Sequence, residues 1–175
     1  MNRHPDRREC LKILNEYGTP DHVIGHCCAV ADVAVRTGSA LNENGYHLDT
    51  ELIMSAAMLH DMARKYDRHW EVAAEWCRTH GLQQEADIIK VHMFYPAFSA
   101  IDKVNETDIV CLGDRVVKFD KYVGLDERID YIINKIPRKE KDIKIIMEKK
   151  AEAARFIEDI ERITGRSFDS IAEGE

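Results

Sequence analysis

Apolar residues recur along the chain at helical spacing, in segments parted by short polar breaks, and no stretch alternates long enough to make a convincing strand. The pattern predicts an all-α fold. CLKILNEYG reads as a short first helix ending at Gly18, after which Thr19 serves as N-cap and Pro20 as the first helical residue of a long helix towards Asn42. The turn NENGYHLDT breaks that helix before Asp49 or Thr50 caps ELIMSAAMLHDMARKY, which is apolar on nearly all sides and so marks a central buried helix. HWEVAAEWCRTHGL and QQEADIIKVHMF follow, divided near Gly81, with Pro96 stopping the second. Asn105 caps ETDIVCLGDRVVKFDKY, and after Gly124 the segment LDERIDYIINK forms a helix closed by Pro137. Over residues 139–164, Ile143, Ile146, Met147, Ala154, Ile157 and Ile160 fall close to a 3.6-residue period. This is a long amphipathic closing helix, whose Lys and Glu runs form a solvated face.

Composition narrows the picture. A chain of 175 residues, 45% apolar and 33% charged, suits one domain over residues 1–175 with a real core. Four prolines and nine glycines leave little room for linkers. Met1 is followed by the polar run NRHPDRREC, unlike a signal peptide, and no apolar run approaches the ~18 residues of a membrane span. The five cysteines (Cys10, Cys27, Cys28, Cys77, Cys111) are odd in number and lack CxxC spacing, as expected of reduced thiols acting as small core hydrophobes in a cytoplasmic protein. A net charge of −7 argues against a nucleic-acid duplex as partner and leaves room for a small anionic ligand drawn in by local cations.

The candidate chemistry centres on His60 and Asp61, which follow SAAML inside the most apolar predicted helix. An uncompensated imidazole and carboxylate there would cost several kcal/mol of desolvation, so the pair needs a metal or a hydrogen-bonded network. Side chains about 100° apart on a helix can both reach an ion lying between their directions. His26 in HVIGHCCAVADVAV, His92 in IIKVHMF and Asp114 in CLGDRVV occupy interior positions of other predicted helices. Such a mixed set of imidazole and carboxylate donors suits Fe, Mn, Zn, Ni or Co better than Ca or an oxygen-bound Mg. Trp70 and Trp76 read as packing residues, while Tyr95 and Phe98 in MFYPAFS form an aromatic loop able to cover a base.

The order His26, His60-Asp61, Asp114, with the strings HVIGHCCAVADVA, AAMLHDMARK and LGDRVVKF, resembles the H...HD...D pattern of the HD-domain superfamily of metal-dependent phosphohydrolases. The likeness covers a motif-bearing core over residues 19–122 and leaves residues 125–165 as a helical C-terminal extension. It extends to a small bacterial subgroup related to HD domains joined to nucleotidyltransferases of molybdenum cofactor maturation. The resemblance implies a compact helical bundle holding one or two divalent ions. Two-metal members carry further histidines, which places His69 and His92 as ligands, although the interval from Asp61 to His69 is short for that pattern. Arg64 stands where many members have a phosphate-approaching Lys, with Lys65 beside it and Arg115 directly after the last ligand.

The expectation is therefore a hydrolase that acts on a small phosphate ester or nucleotide through metal-activated water. In it Asp61 orients the water, and Arg64, Lys65 and Arg115 offset phosphoryl charge. The alternative is a metal-containing module that binds or senses a nucleotide without turnover. A third reading is a purely structural helical protein, a homodimer formed through its amphipathic final helix.

Overall fold

The computed structural model describes residues 3–94, 97–135 and 139–175. It is all-α, as the periodicity requires. Helix α1 (Arg7–Tyr17) starts in a capping box between Asp6 and Glu9 and stops where Gly18 adopts a left-handed φ of 76°. The long α2 (Asp21–Asn42) lies against α3 (Thr50–Leu59) and α6 (Glu106–Val116), while α4 (His69–Thr79) and α5 (Gln83–Val91) pair beside them. Helix α7 (Gly124–Lys135), the long α8 (Glu140–Thr164) and the short α9 (Phe168–Glu173) complete the chain.

The core is made where α2, α3 and α6 meet: Val30, Ala31, Ala34, Ile53, Ala56, Ala57, Ile109, Val110 and Leu112 are all fully buried. Small residues let these helices approach closely. A Cβ at Gly113 would lie 3.1 Å from the Val30 carbonyl and 3.3 Å from the Ala34 Cβ, so only glycine lets α6 lie this near α2 without displacement. The same approach brings Asp114, the next residue, opposite His26 one turn before Val30.

Several local expectations change. Thr19 is not the cap of α2: Pro20 holds the N-cap without a side-chain bond, and the Thr19 hydroxyl donates to the Met62 carbonyl at 2.8 Å. The helix expected through Tyr66 ends at Leu59, because the backbone tightens to i→i+3 bonds from Met62 to Leu59, Arg64 to Asp61 and Tyr66 to Ala63. His60 and Asp61 thus sit at a helix end and in the following turns, still buried, rather than in a helix interior. The helix expected through Tyr122 stops at Val116, and β1 (Val117–Lys118) pairs antiparallel with β2 (Lys121–Tyr122). Two-residue strands are too short to leave an alternation in the sequence. Helix α5 gives way at His92 to a 3-10 turn, and α9, capped by Ser167, was not foreseen. The stops assigned to Pro96 and Pro137 lie outside the described residues. No helix among the described residues is long and apolar enough to cross a membrane.

Candidate metal centre

Five elements converge on one point: His26 from the first half of α2, His60 and Asp61 from the end of α3 and the turn after it, His69 from the first residue of α4, His92 from the turn after α5, and Asp114 from α6. All are buried except His26, which is half-buried. The sequence-expected ligands are therefore brought together, His69 included, since its Nε2 stands 3.1 Å from Asp61 Oδ1. His92 Nε2 lies 3.5 Å from the same oxygen, His26 Nε2 lies 3.0 Å from Asp114 Oδ1, and His60 Nε2 lies 3.7 Å from Asp61 and 3.8 Å from Asp114.

Backbone carbonyls aim the rings. Nδ1–H of His26 donates to the Phe119 carbonyl at 2.8 Å, that of His60 to Ala57 at 2.7 Å, and that of His92 to Ile89 at 2.7 Å. With each Nδ1 committed to a carbonyl, each Nε2 faces inward, which is how metal-ligating imidazoles are commonly held. Nε2 of His60 and of His92 has no hydrogen-bond partner although both are buried. Nitrogen atoms in that state ask for a cation or a proton. Two overlapping triads, His26–His60–Asp114 and His60–Asp61–His92, each keep their ligand atoms within 4.8 Å of one another, so buried His and Asp groups are placed to hold a metal.

The electrostatics agree with that arrangement. Burial lowers His60 to about 4, keeping its inward nitrogen unprotonated. Burial alone would raise the Asp61 carboxyl, but His60, the close His69 and His92 rings, and Arg64 hold it well below the usual carboxylate range. Asp114 is likewise lowered against its own desolvation, by His26 and His60. His26 and His92 are raised, because their carboxylate partners outweigh burial. An ion at these nitrogens would displace any proton they carry, since metal ligands must be deprotonated.

Among the flanking cations, Arg64 is half-exposed and bonds Asp61 at 3.0 and 3.2 Å. Lys65 turns away to the Gly18 carbonyl at 3.4 Å, near the Tyr17 and Tyr66 rings. Arg115 is buried with its guanidinium 4.4 Å from the Phe98 ring, so burial closes it to a ligand arriving from solvent. Phe98 in turn stacks on Phe156 at 4.4 Å and is not a loose cover for a base, and Tyr95 lies outside the described residues. Sequence reasoning missed Arg128 of α7, whose Nη2 comes within 3.9 Å of Asp114 Oδ1. Nothing in LDERIDYIINK signals this, because it depends on how α7 folds back after the hairpin. All five cysteines are free, and burial pushes Cys10, Cys77 and Cys111 up to about 12.

Fold and site define an all-helical protein with a buried His and Asp cluster able to hold a metal. The chain is similar, at 26% identity over 142 residues, to a tRNA (cytidine(56)-2'-O)-methyltransferase of Thermoplasma volcanium; the match covers 72% of this chain and 40% of the length of that relative. It is also 24% identical over 143 residues to an uncharacterised protein of Methanocaldococcus jannaschii, covering 73% of this chain and 85% of the relative. No family model matches the chain, and no solved structure matches it significantly. These likenesses correct the expectation of a hydrolase. Of the two relatives, the one whose name states an activity is a methyltransferase, which is a transferase, so neither the phosphohydrolase activity nor the hydrolase class is retained.

Proposed function

We propose that this chain is a divalent-metal-binding helical module of the HD type that holds a phosphate-bearing small molecule or nucleotide, without cleaving it, in the service of tRNA modification. The observation that carries the reading is the set of three imidazoles whose Nδ1–H groups are spent on backbone carbonyls and whose Nε2 atoms surround Asp61 and Asp114. Nitrogen and carboxylate donors in this mixture favour Fe, Mn, Zn, Ni or Co. His26, His60, Asp61 and Asp114 would hold a first ion, and His69 and His92 with Asp61 a second. A bound ion would supply positive charge for a phosphate oxygen. Arg64, half-exposed beside Asp61, would take another oxygen in a charge-assisted bond. Free cysteines support a reducing compartment, such as the cytoplasm, for this work.

The Thermoplasma relative favours a second reading, in which the chain takes part in tRNA ribose methylation itself. Metal analysis of protein purified without chelator, followed by calorimetric titration with phosphate-bearing ligands and a labelled-methyl transfer assay on tRNA, separates the two. The module reading expects bound metal and ligand affinity that a chelator abolishes, with no methyl transfer. Absent metal together with ligand affinity indifferent to chelator overturns it. Metal-dependent release of phosphate overturns its non-cleaving clause, and methyl transfer to tRNA puts the second reading in its place.

A further inference from the structure

Beside the cluster, the hairpin tip carries an exposed aromatic residue. Phe119 is a non-glycine residue with a left-handed φ of 54°, and the residue is 60% exposed. The two-residue loop between β1 and β2 calls for a positive φ at this position, which glycine would fill without strain, and a large apolar ring gains little by standing in water, so the turn does not explain why the residue is aromatic. The Phe119 carbonyl meanwhile accepts the His26 Nδ1–H at 2.8 Å, which ties the hairpin tip to the metal centre.

Tyr131 of α7 meets the Phe119 ring edge to face, with centroids 5.4 Å apart. Three cations surround the Tyr131 ring: Lys135 at 4.5 Å, Lys118 at 5.3 Å and Arg128 at 5.7 Å. Lys118 is also paired with Glu127 at 2.8 Å. Arg128 reaches back to Asp114 at 3.9 Å with its side chain only 13% exposed, and its buried Nε has no hydrogen-bond partner. The contacts form a closed circuit from His26 to Phe119, Tyr131, Arg128, Asp114 and back to His26 at 3.0 Å. On a chain of net charge −7, three cations gather round Tyr131 beside the exposed Phe119 ring, two of them also paired with the carboxylates of Glu127 and Asp114.

We propose that this edge grips a phosphorylated nucleoside, free or at the end of an RNA chain, with the base stacked on Phe119 and a phosphate oxygen held by Arg128 on the Asp114 side of the cluster. The proposal rests on the metal-module reading for the site to which the phosphate is delivered. Stacking on an aromatic face is tolerant of base identity, and a guanidinium binds a phosphate through paired donors. Lys118 and Lys135 add charge that attracts the ligand without fixing its orientation.

The test uses the full chain loaded with Mn, titrated by calorimetry with adenosine 5'-monophosphate, a 5'-phosphorylated trinucleotide and ribose 5-phosphate, with metal content measured separately. Phe119→Gly should weaken the two nucleotides at least tenfold and leave ribose 5-phosphate within twofold, while Tm holds or rises because glycine relieves the left-handed backbone. Arg128→Gln should weaken every ligand that the wild type binds, about tenfold. Whichever nucleotide the wild type binds more tightly identifies the source. Nucleotide affinity unchanged in Phe119→Gly, or ribose 5-phosphate falling by the same factor as the nucleotides, overturns the proposal, as does wild-type protein that binds neither nucleotide. Failure of the metal reading is separately visible as wild-type protein that retains no metal, and stacking on Phe119 can still be measured in that protein.

Discussion

Replacing Asp61 by Asn keeps the volume of the side chain and removes the charge on which four partners converge. The carboxylate lies 3.1 Å from His69, 3.5 Å from His92, 3.7 Å from His60 and 3.0 Å from Arg64. Breaking a buried ion pair by removing one partner costs about 3–5 kcal/mol. Arg64 is half-exposed and its share is small, so about 3 kcal/mol is the appropriate figure for metal-free protein. For a chain of 175 residues this is a fall in Tm of roughly 6–12 °C. Metal adds a second, separable difference: an ion at ~1,000 times its Kd stabilises the wild type by about 4 kcal/mol, and Asp61→Asn forfeits it. The metal-loaded gap should therefore reach roughly 14–28 °C. The Asp61 carboxyl is held below its ordinary value, so its contribution is present above the unfolded pKa and disappears as pH falls through the folded one. The difference between variant and wild type in chelator should accordingly shrink below about pH 4. Thermal unfolding with and without chelator, alongside metal analysis by mass spectrometry, reads both quantities. Wild-type metal content in Asp61→Asn, or an unchanged Tm in chelator near neutral pH, would refute the reasoning.

Gly113→Ala adds a Cβ 3.1 Å from the Val30 carbonyl and should cost about 1–2 kcal/mol, overpacking outweighing the helix propensity of alanine; urea unfolding no less stable than wild type would show that α2 and α6 have room to part. Arg64→Ala should leave metal content near wild type and weaken phosphate-bearing ligands by about 1.5–3 kcal/mol, measured by calorimetry, and unchanged affinity removes Arg64 from the site. In native protein near pH 8 a thiol reagent should modify at most half-buried Cys28 quickly, because Cys10, Cys77 and Cys111 are buried with thiols pushed up to about 12 and Cys27 is buried and raised; rapid reaction of all five without denaturant would contradict the packing.

The helical architecture was legible because amphipathic periodicity extends over most of the chain, and the polar residues on apolar faces pointed to the cluster. An Asp or His in SAAMLHDMA has no inexpensive way to be buried alone, and that argument needs no knowledge of tertiary contacts. What escaped the sequence lies where local and tertiary rules compete. The tightening after Leu59 depends in part on the Thr19 hydroxyl binding the Met62 carbonyl across 43 positions of chain, and the hairpin at Phe119 is too short to show a period. Arg128 and Tyr131 sit on a helix whose sequence looks like an ordinary solvated one, so their place beside Asp114 exists only in the fold. The reaction class escaped for a different reason. It came from resemblance to a superfamily, and a helical bundle with a histidine cluster can serve more than one chemistry.

The construction of the cluster links these observations. His60 and His92 lie at the C-terminal ends of α3 and α5, and each sends its Nδ1–H to the carbonyl three residues earlier, Ala57 in one case and Ile89 in the other, at 2.7 Å. A helix end leaves carbonyls without intrahelical partners, and an imidazole in that position satisfies one while turning its other nitrogen away from the helix. The same side chain therefore finishes a helix and aims a ligand, which explains why residues deep in an apolar segment mark its end and not its middle. His26 does the equivalent across space, with its Nδ1–H on the Phe119 carbonyl, so the hairpin tip takes the part that a helix terminus plays for the other two. Three independent elements thereby direct one nitrogen each to a common point. A network serving stability alone would more economically have closed those nitrogens with hydrogen bonds, whereas Nε2 of His60 and His92 is buried without one.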